Sequence, residues 1–255
     1  MKISKLIRLV GVVRNWPRTL MDHLQFATTD YICHLRNGTS IEVRGGTDDR
    51  HVIFEVFVEH VYPIHISPGD IVIDIGAHIG CFTVLAAKAG ARVFSFEASP
   101  ANYVMLERNV RLNELKNVQI FNTAIAGHRE KRQLFLSDDP AHSGRHSLIL
   151  TRGARTQEVS CISLDDVLIE NNLRSIDLLK IDCEASEYEI LHKASAQTLA
   201  RTRAIMVECH TVTGKPEDWS IAGMQKYLER LGFNTRTQAR IVHAKRHLLN
   251  VSSRS

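Results

Sequence analysis

The chain has 255 residues, of which 44% are hydrophobic and 24% charged, with a formal net charge of +4. This balance excludes a disordered, collagen-like or coiled-coil chain and predicts one large domain with a sizeable core. The longest apolar stretch, Ile71 to Phe96, is interrupted by Asp74, His78, Lys88 and Arg92, so it lacks the run of about 20 apolar residues that a membrane-spanning helix needs.

In chain order, Lys2 and Lys5 precede a short apolar run that Arg8 breaks, and no small-residue cleavage pattern follows, unlike a secretory signal. Apolar positions from Lys2 to Leu24 have helical spacing, and Tyr31 to Arg44 reads as a hairpin around Arg36-Asn37-Gly38. Val52 to Tyr62 reads as a helix that stops before Pro63. Residues 1–66 are assigned to an N-terminal annex and 67–255 to the main domain, which Pro68-Gly69-Asp70 introduces.

From Ile71 onward buried strands alternate with amphipathic helices: strand Ile71–Ile75, helix Cys81–Ala89, strand Arg92–Phe96, helix Ala101–Asn113 and strand Val118–Asn122. The regularity then lapses into a β insertion, with strands Arg132–Leu136 and Gln157–Ile162 on either side of a polar loop through Asp138 to Arg145. It resumes with helix Leu164–Asn171, strand Ile176–Ile181, helix Ser186–Lys193, strand Ala204–Val207, helix Ile221–Arg230 and a last pair around Phe233 and Ile241. Such alternation predicts an α/β fold built on a mostly parallel, doubly wound sheet with helices on both faces.

Both ends of the chain are basic. Lys2, Lys5, Arg8, Arg14 and Arg18 form a block without an acid, and so do Arg230, Arg236, Arg240, Lys245, Arg246 and Arg254. These ends either touch an anionic membrane surface, a phosphorylated carrier or nucleic acid, or are plain solvated faces. Five scattered cysteines without a CxxC pair argue against a disulfide framework or structural zinc and fit a reducing, cytoplasmic setting.

The segment Val72-Ile73-Asp74-Ile75-Gly76-Ala77-His78-Ile79-Gly80 runs from an apolar strand through a glycine turn into a helix, the form of a nucleotide-cofactor loop. Its GxxxG spacing lacks the three glycines that seat a pyrophosphate, which weighs against NAD or FAD. Glu97 ends the next strand, about 20 residues further on, where a carboxylate commonly accepts hydrogen bonds from ribose hydroxyls. A ribose without a pyrophosphate points to S-adenosylmethionine, with a doubly wound domain carrying a surface glutamate as the alternative.

This loop resembles that of the FkbM-type methyltransferases, as do Phe94-Ser95-Phe96-Glu97-Ala98-Ser99-Pro100 and Ile176-Asp177-Leu178-Leu179-Lys180-Ile181-Asp182-Cys183-Glu184-Ala185-Ser186-Glu187. Asn102, Glu107-Arg108-Asn109, Asn113, Leu164-Asp165-Asp166, Val207-Glu208-Cys209-His210, Arg44-Gly45-Gly46-Thr47-Asp48-Asp49 and Tyr62 add to the likeness. The resemblance implies a Rossmann-like methyltransferase fold that uses S-adenosylmethionine, usually to O-methylate a sugar, glycolipid or polyketide-like small molecule, and it maps Asp74, Gly76, Gly80 and Glu97 to the cofactor site. The family's Asp-x-Glu-Gly pattern is here Asp182-Cys183-Glu184-Ala185, and alanine does not readily adopt a glycine-only backbone conformation.

If strands Ile176–Ile181 and Ala204–Val207 are parallel neighbours, Asp182, Glu184, Glu208 and His210 open on the edge that carries the cofactor loop. Methyl transfer to an alcohol needs an aligned oxygen and a group that takes its proton. His210 is the first candidate base because the free imidazole titrates near neutrality, and Asp182 or Glu184 serves as alternative base or as its orienter. Asp182, Glu208 and His210 also offer the donor types of a divalent metal site, although carboxylates beside a cofactor more often make hydrogen bonds, and no metal is predicted.

The pairs His142/His146 and His243/His247 have four-residue spacing but fall in a loop and a strand, so they read as solvated polar residues. The loop from His142 to Ser147 is a candidate cover for the acceptor. Cys183 and Cys209 read as buried small hydrophobes. No zinc-finger spacing or basic stripe interleaved with aromatics suggests nucleic acid as substrate. The expected protein is a methyltransferase acting on a hydroxyl of a saccharide, glycan precursor or related metabolite. A nitrogen or carboxylate acceptor, and a catalytically silent cofactor-binding module, are the alternatives.

Overall fold

The computed structural model describes residues 3–62, 65–139, 141–151, 155–212, 214, 216 and 218–246. Lys2, Pro63, His247 and Arg254, which figure in the expectations above, lie outside them.

The chain opens with helices α1 (Ile3–Val12) and α2 (Trp16–His23) and the hairpin β1 (Tyr31–His34) and β2 (Ser40–Val43). The continuous helical spacing from Lys2 to Leu24 therefore yields two helices. The break has a cause: Val13 bridges Leu35, and Arg14 N donates to His34 O at 2.7 Å, so the backbone turns away to pair with the hairpin. Helix α3 (Asp49–Ile53) starts earlier than expected and runs into a π-helical segment, Phe54–Val58, a widening of the helix that is common near functional sites.

The main sheet is built from β3 (Ile71–Ile75), helix α4 (Cys81–Lys88), β4 (Arg92–Phe96), helix α5 (Pro100–Leu112) and β5 (Val118–Phe121). Three strands, β6 (Ala124–Ala126), β7 (Glu130–Phe135) and β8 (Thr156–Ser163), then form a separate small sheet. Next come α6 (Leu164–Glu170), β9 (Leu178–Ile181), α7 (Glu187–Lys193), α8 (Ala196–Ala200), β10 (Ala204–Glu208), α9 (Ile221–Arg230), β11 (Asn234–Gln238) and β12 (Ile241–Lys245). Strand β6 and helix α8 escape the pattern because three and five residues are too few to show a period.

The seven strands lie in the order β11-β12-β10-β9-β3-β4-β5, with β10, β9, β3, β4 and β5 parallel and β12 antiparallel to both of its neighbours. Helices join the parallel strands, as crossovers require. Burial on both faces explains why β3, β4 and β9 read as apolar runs. One core packs Val72, Val84 and Val93 against Leu9, Val13, Ile41, Val43 and Phe54 from the N-terminal part of the chain. The other packs Ile73, Ile75, Phe94, Phe96 and Leu179 against Val167, Tyr188, Leu191 and Leu228 from helices on the opposite face. Successive residues of β3 thus enter different cores, as the two-residue period of a strand dictates.

Candidate active site

Strand β3 ends in the turn Gly76 to Gly80, where Gly76 N and Ala77 N both donate to Phe96 O, at 3.0 and 3.1 Å. Gly76 has φ +73°, and a Cβ there would lie 1.8 Å from Asp182 O, so only glycine lets β3 and β9 close side by side at this point. His78 also takes a left-handed conformation, at φ 53°. Its backbone N donates to Glu97 Oε2 at 2.8 Å, while Ser99 N donates to Glu97 Oε1 at 2.8 Å. Glu97 lines the cleft at the turn. Burial pushes its carboxyl above the ordinary range, while the bonds from Ser99 and His78 N oppose the rise.

Asp74 is absent from the walls of that cleft. It is fully buried one residue below the turn, where Oδ2 accepts from Thr83 Oγ1 at 2.7 Å and Oδ1 lies 3.1 Å from Lys180 Nζ. Lys180 does line the cleft and also donates to Gly76 O at 2.9 Å. Burial lowers the Lys180 pKa, but Asp74 and Asp182 outweigh it and hold the ammonium charged. Asp74 therefore reaches the turn through Lys180, a residue that sequence reasoning missed because it sits inside an apolar strand.

The cleft, of about 240 Å³, extends from Glu97 past the turn to the ends of β9 and β10. Asp182, Glu184, Glu208 and His210 all line it, so the structure brings the four expected residues together. Tyr62 Oη lies 3.3 Å from Asp182 Oδ2, and Arg240 Nη2 lies 2.6 Å from Glu208 Oε1. Glu55, from the π-helical segment, joins the same wall. Tyr62 was part of the family likeness, whereas nothing local in sequence marks Glu55 or Arg240 as neighbours of this edge.

His210 is buried, and its backbone N donates to Glu187 Oε1 at 2.6 Å, with ring Nδ1 3.1 Å from the same oxygen. Ring Nε2 lies 3.6 Å from Glu184 Oε2 and 3.8 Å from Glu208 Oε1. Burial pushes the imidazole pKa down, but the Glu187 hydrogen bond and the charges of Asp182, Glu187 and Glu184 override it and lift it to about 9. Glu208 is raised as well, up to about 7, because it is buried and faces Asp182, while His210 and Arg240 oppose the rise. Asp182, Glu208 and His210 place one ligand atom each within 4.8 Å of one another, a geometry compatible with a divalent cation.

A loop from the β insertion covers one side. Ala141 O accepts from Asp48 N at 2.7 Å, Ser143 Oγ donates to Asp49 Oδ1 at 2.8 Å, and Asn102 Nδ2 donates to Ser143 O at 2.9 Å. His146 lines the cleft and accepts from Ser137 N, whereas His142 pairs with Asp139 outside the cleft wall, so these two do not act as a ligand pair. His243 lies buried in β12. Burial pushes the Cys209 thiol up to about 12, and Cys183 is also raised by burial, so neither is an activated nucleophile.

At Ala185 the backbone does take the unfavourable form: φ is 86° and the residue is fully buried. An L-residue held there costs about 1 kcal/mol relative to glycine. Ala185→Gly is therefore expected to raise stability by up to about 1 kcal/mol, read as an upward shift in the urea midpoint. An unchanged or lower midpoint would count against stored strain.

The glycine turn with no room for a Cβ and the carboxylate beyond the second strand fit a nucleoside cofactor that carries no pyrophosphate. The orphaned buried Nδ1 of His78 in the same wall adds a polar atom that such a ligand can satisfy. Fold and cleft together are those of a Rossmann-like, S-adenosylmethionine-dependent methyltransferase. The model of the methyltransferase FkbM domain matches residues 74–235, and the chain belongs to the FkbM methyltransferase family. It is 26% identical over 213 residues to the 31-O-demethyl-FK506 methyltransferase FkbM of Streptomyces tacrolimicus, covering 71% of this chain and 82% of that one. The methyltransferase sdnD of Sordaria araneosa is 26% identical over 209 residues, covering 69% and 77% of the two chains. The AMB antimetabolite synthetase AmbE of Pseudomonas aeruginosa is 28% identical over 225 residues, 73% of this chain but 11% of that long protein. Among the described residues no helix is long and apolar enough to cross a membrane.

Glu97→Gln keeps the shape of the side chain but removes the charge and one acceptor. It is expected to weaken S-adenosylhomocysteine binding by about 1 to 3 kcal/mol, measured by isothermal titration. Unchanged affinity would remove Glu97 from the cofactor's contacts.

Proposed function

We propose that this chain methylates a hydroxyl of a saccharide, glycan precursor or related small molecule. The observation that carries the reading is the gathering of Tyr62, Asp182, Glu208, His210 and Arg240 around one end of the cofactor cleft. This wall alternates donors and acceptors in the manner that suits vicinal hydroxyls. The Streptomyces tacrolimicus relative is a 31-O-demethyl-FK506 methyltransferase, which agrees with oxygen as the acceptor atom.

S-adenosylmethionine supplies an electrophilic methyl group on a sulfonium. The chain's residues would bind and orient the two partners: Gly76 and Glu97 would hold the cofactor, Gly80, at φ +88°, lets the turn pass into α4, and Lys180 fixes the turn from below through Gly76 O and Asp74. Asp182 and Glu208 hold the acceptor, whose alignment supplies most of the rate gain. An imidazole with a pKa of about 9 already carries its proton at neutral pH, so His210 is a poor base in this surrounding. Glu208, at about 7, is matched to the task and takes the hydroxyl proton. His210, charged and anchored on Glu187, orients Glu184 and Glu208, and residues 1–66 complete the wall with Asp48, Glu55 and Tyr62.

The test is product analysis. Purified protein is incubated with S-adenosylmethionine and a panel of sugars, glycosides, amines and carboxylic acids, with methyl placement read by mass spectrometry and NMR. An O-methyl ether supports the reading. Methylation at nitrogen or carboxylate overturns it, and tight cofactor binding with no turnover on any acceptor points to a silent module.

A further inference from the structure

Nδ1 of His78, in the cleft wall, is buried and has no hydrogen-bond partner among the described residues. The opposite side of the ring is closely held. Nε2 lies 3.1 Å from Ser143 Oγ and 3.3 Å from Asp49 Oδ1. Ser143 spends its only proton on Asp49 Oδ1, at 2.8 Å, and Asp49 is itself fixed by Arg44 through Nε and Nη2, each at 2.8 Å. Both groups facing Nε2 can therefore only accept from it, and the ring proton resides there. Burial pushes the imidazole pKa down, with Arg44 and Lys180 adding to the fall against Asp49 and Asp182, so the ring is neutral and Nδ1 presents a lone pair. A buried acceptor without a donor is costly unless a ligand satisfies it.

We propose that His78 is a cofactor-positioning residue whose Nδ1 accepts a hydrogen bond from the α-ammonium of S-adenosylmethionine. The cofactor carries three kinds of donor. Its ribose hydroxyls match Glu97, which also holds the His78 backbone N. Of the remaining two, the ammonium is favoured over the adenine amine because the carboxylate of Asp182 lines the same cleft and Asp49 Oδ1 lies 3.3 Å from the ring, and these two acids offset the nearby cations Arg44 and Lys180. The annex and the insertion loop thereby set the tautomer that reads the cofactor: Asp49 precedes the main domain, and Ser143 belongs to the covering loop. The inference rests on S-adenosylmethionine occupying the cleft and is independent of the acceptor's identity.

The experiment is isothermal titration of the full chain and of His78→Ala with S-adenosylhomocysteine and with its deaminated analogue, which keeps the carboxylate and lacks the α-ammonium. The native protein is expected to prefer S-adenosylhomocysteine by about 10-fold or more, and His78→Ala to abolish most of that preference by weakening S-adenosylhomocysteine alone. Equal weakening of both ligands, as a merely structural role would give, overturns the proposal, and so does an unchanged preference. Histidine ¹⁵N NMR of the native protein gives a second reading that needs no variant. The His78 Nδ1 resonance, at the position of an unprotonated nitrogen in the free protein, is expected to move upfield with S-adenosylhomocysteine and to stay in place with the deaminated analogue. A protonated Nδ1 in the free protein, or the same shift with both ligands, overturns it. Failure of S-adenosylhomocysteine to bind folded native protein would instead overturn the cofactor reading on which the proposal rests.

Discussion

Lys180→Met is expected to destabilise the protein by about 3 to 5 kcal/mol, the cost of leaving a buried charge without its partner. Lys180 is 4% exposed, and its ammonium lies 3.1 Å from Asp74 Oδ1, 2.9 Å from Gly76 O and 3.9 Å from Asp182 Oδ2. Methionine fills the same volume but offers no donor. Asp74, fully buried, would keep only the Thr83 hydroxyl, which Ser95 Oγ also approaches at 2.8 Å. Urea unfolding measures the loss. A second variant isolates its origin: Asp74→Leu with Lys180→Met removes both charges, and such double replacement by apolar residues is often close to neutral. Recovery of most of the lost stability would establish the pair, whereas additive losses would show that each side chain matters for its packing alone. The single variant should also bind S-adenosylhomocysteine more weakly than the native protein, since Gly76 O loses the contact that holds the turn.

The different legibility of the parts follows from how far apart in sequence the interacting groups lie. Strands β3, β4 and β9 declare themselves because burial on both faces demands consecutive apolar residues, and the helices between them show their own period. The same burial hides Lys180, a charge within an apolar run whose partner stands more than one hundred residues earlier. Gly76, Gly80 and Glu97 can be picked out together in the sequence because strand end, turn and next strand end form one local unit. Asp182, Glu184, Glu208 and His210 are legible as a group because parallel neighbours must open at the same edge. Their protonation is not. The His210 pKa depends on Glu187, the first residue of α7, and that of Glu208 on Asp182 and Arg240 from two other segments as well as on His210. A free-imidazole value names His210 as the base, while the raised pKa values of both groups in the assembled cleft are the ground for proposing Glu208 instead. The contribution of Glu55 is likewise invisible, since it depends on how a helix from residues 1–66 docks and widens at Phe54–Val58.

Glu208→Gln is expected to lower kcat by about 10²- to 10⁴-fold, the usual contribution of a general base, with little change in affinity for S-adenosylhomocysteine, whose expected contacts lie at the turn and Glu97. The pH profile separates this role from a purely binding one. Glu208 accepts a proton only when ionised, and its pKa is raised to about 7, so the native rate should fall as pH drops through about 7 and level off above it. The imidazolium of His210, which persists up to about pH 9, opposes the rise in the Glu208 pKa. Replacing it by His210→Gln removes that cation, so the acid limb should move to higher pH while the plateau rate survives in large part. If His210 were itself the base, the native profile would instead rise through about pH 9, and His210→Gln would lose activity at every pH. The position of one limb in two proteins thus decides which of two adjacent side chains takes the proton.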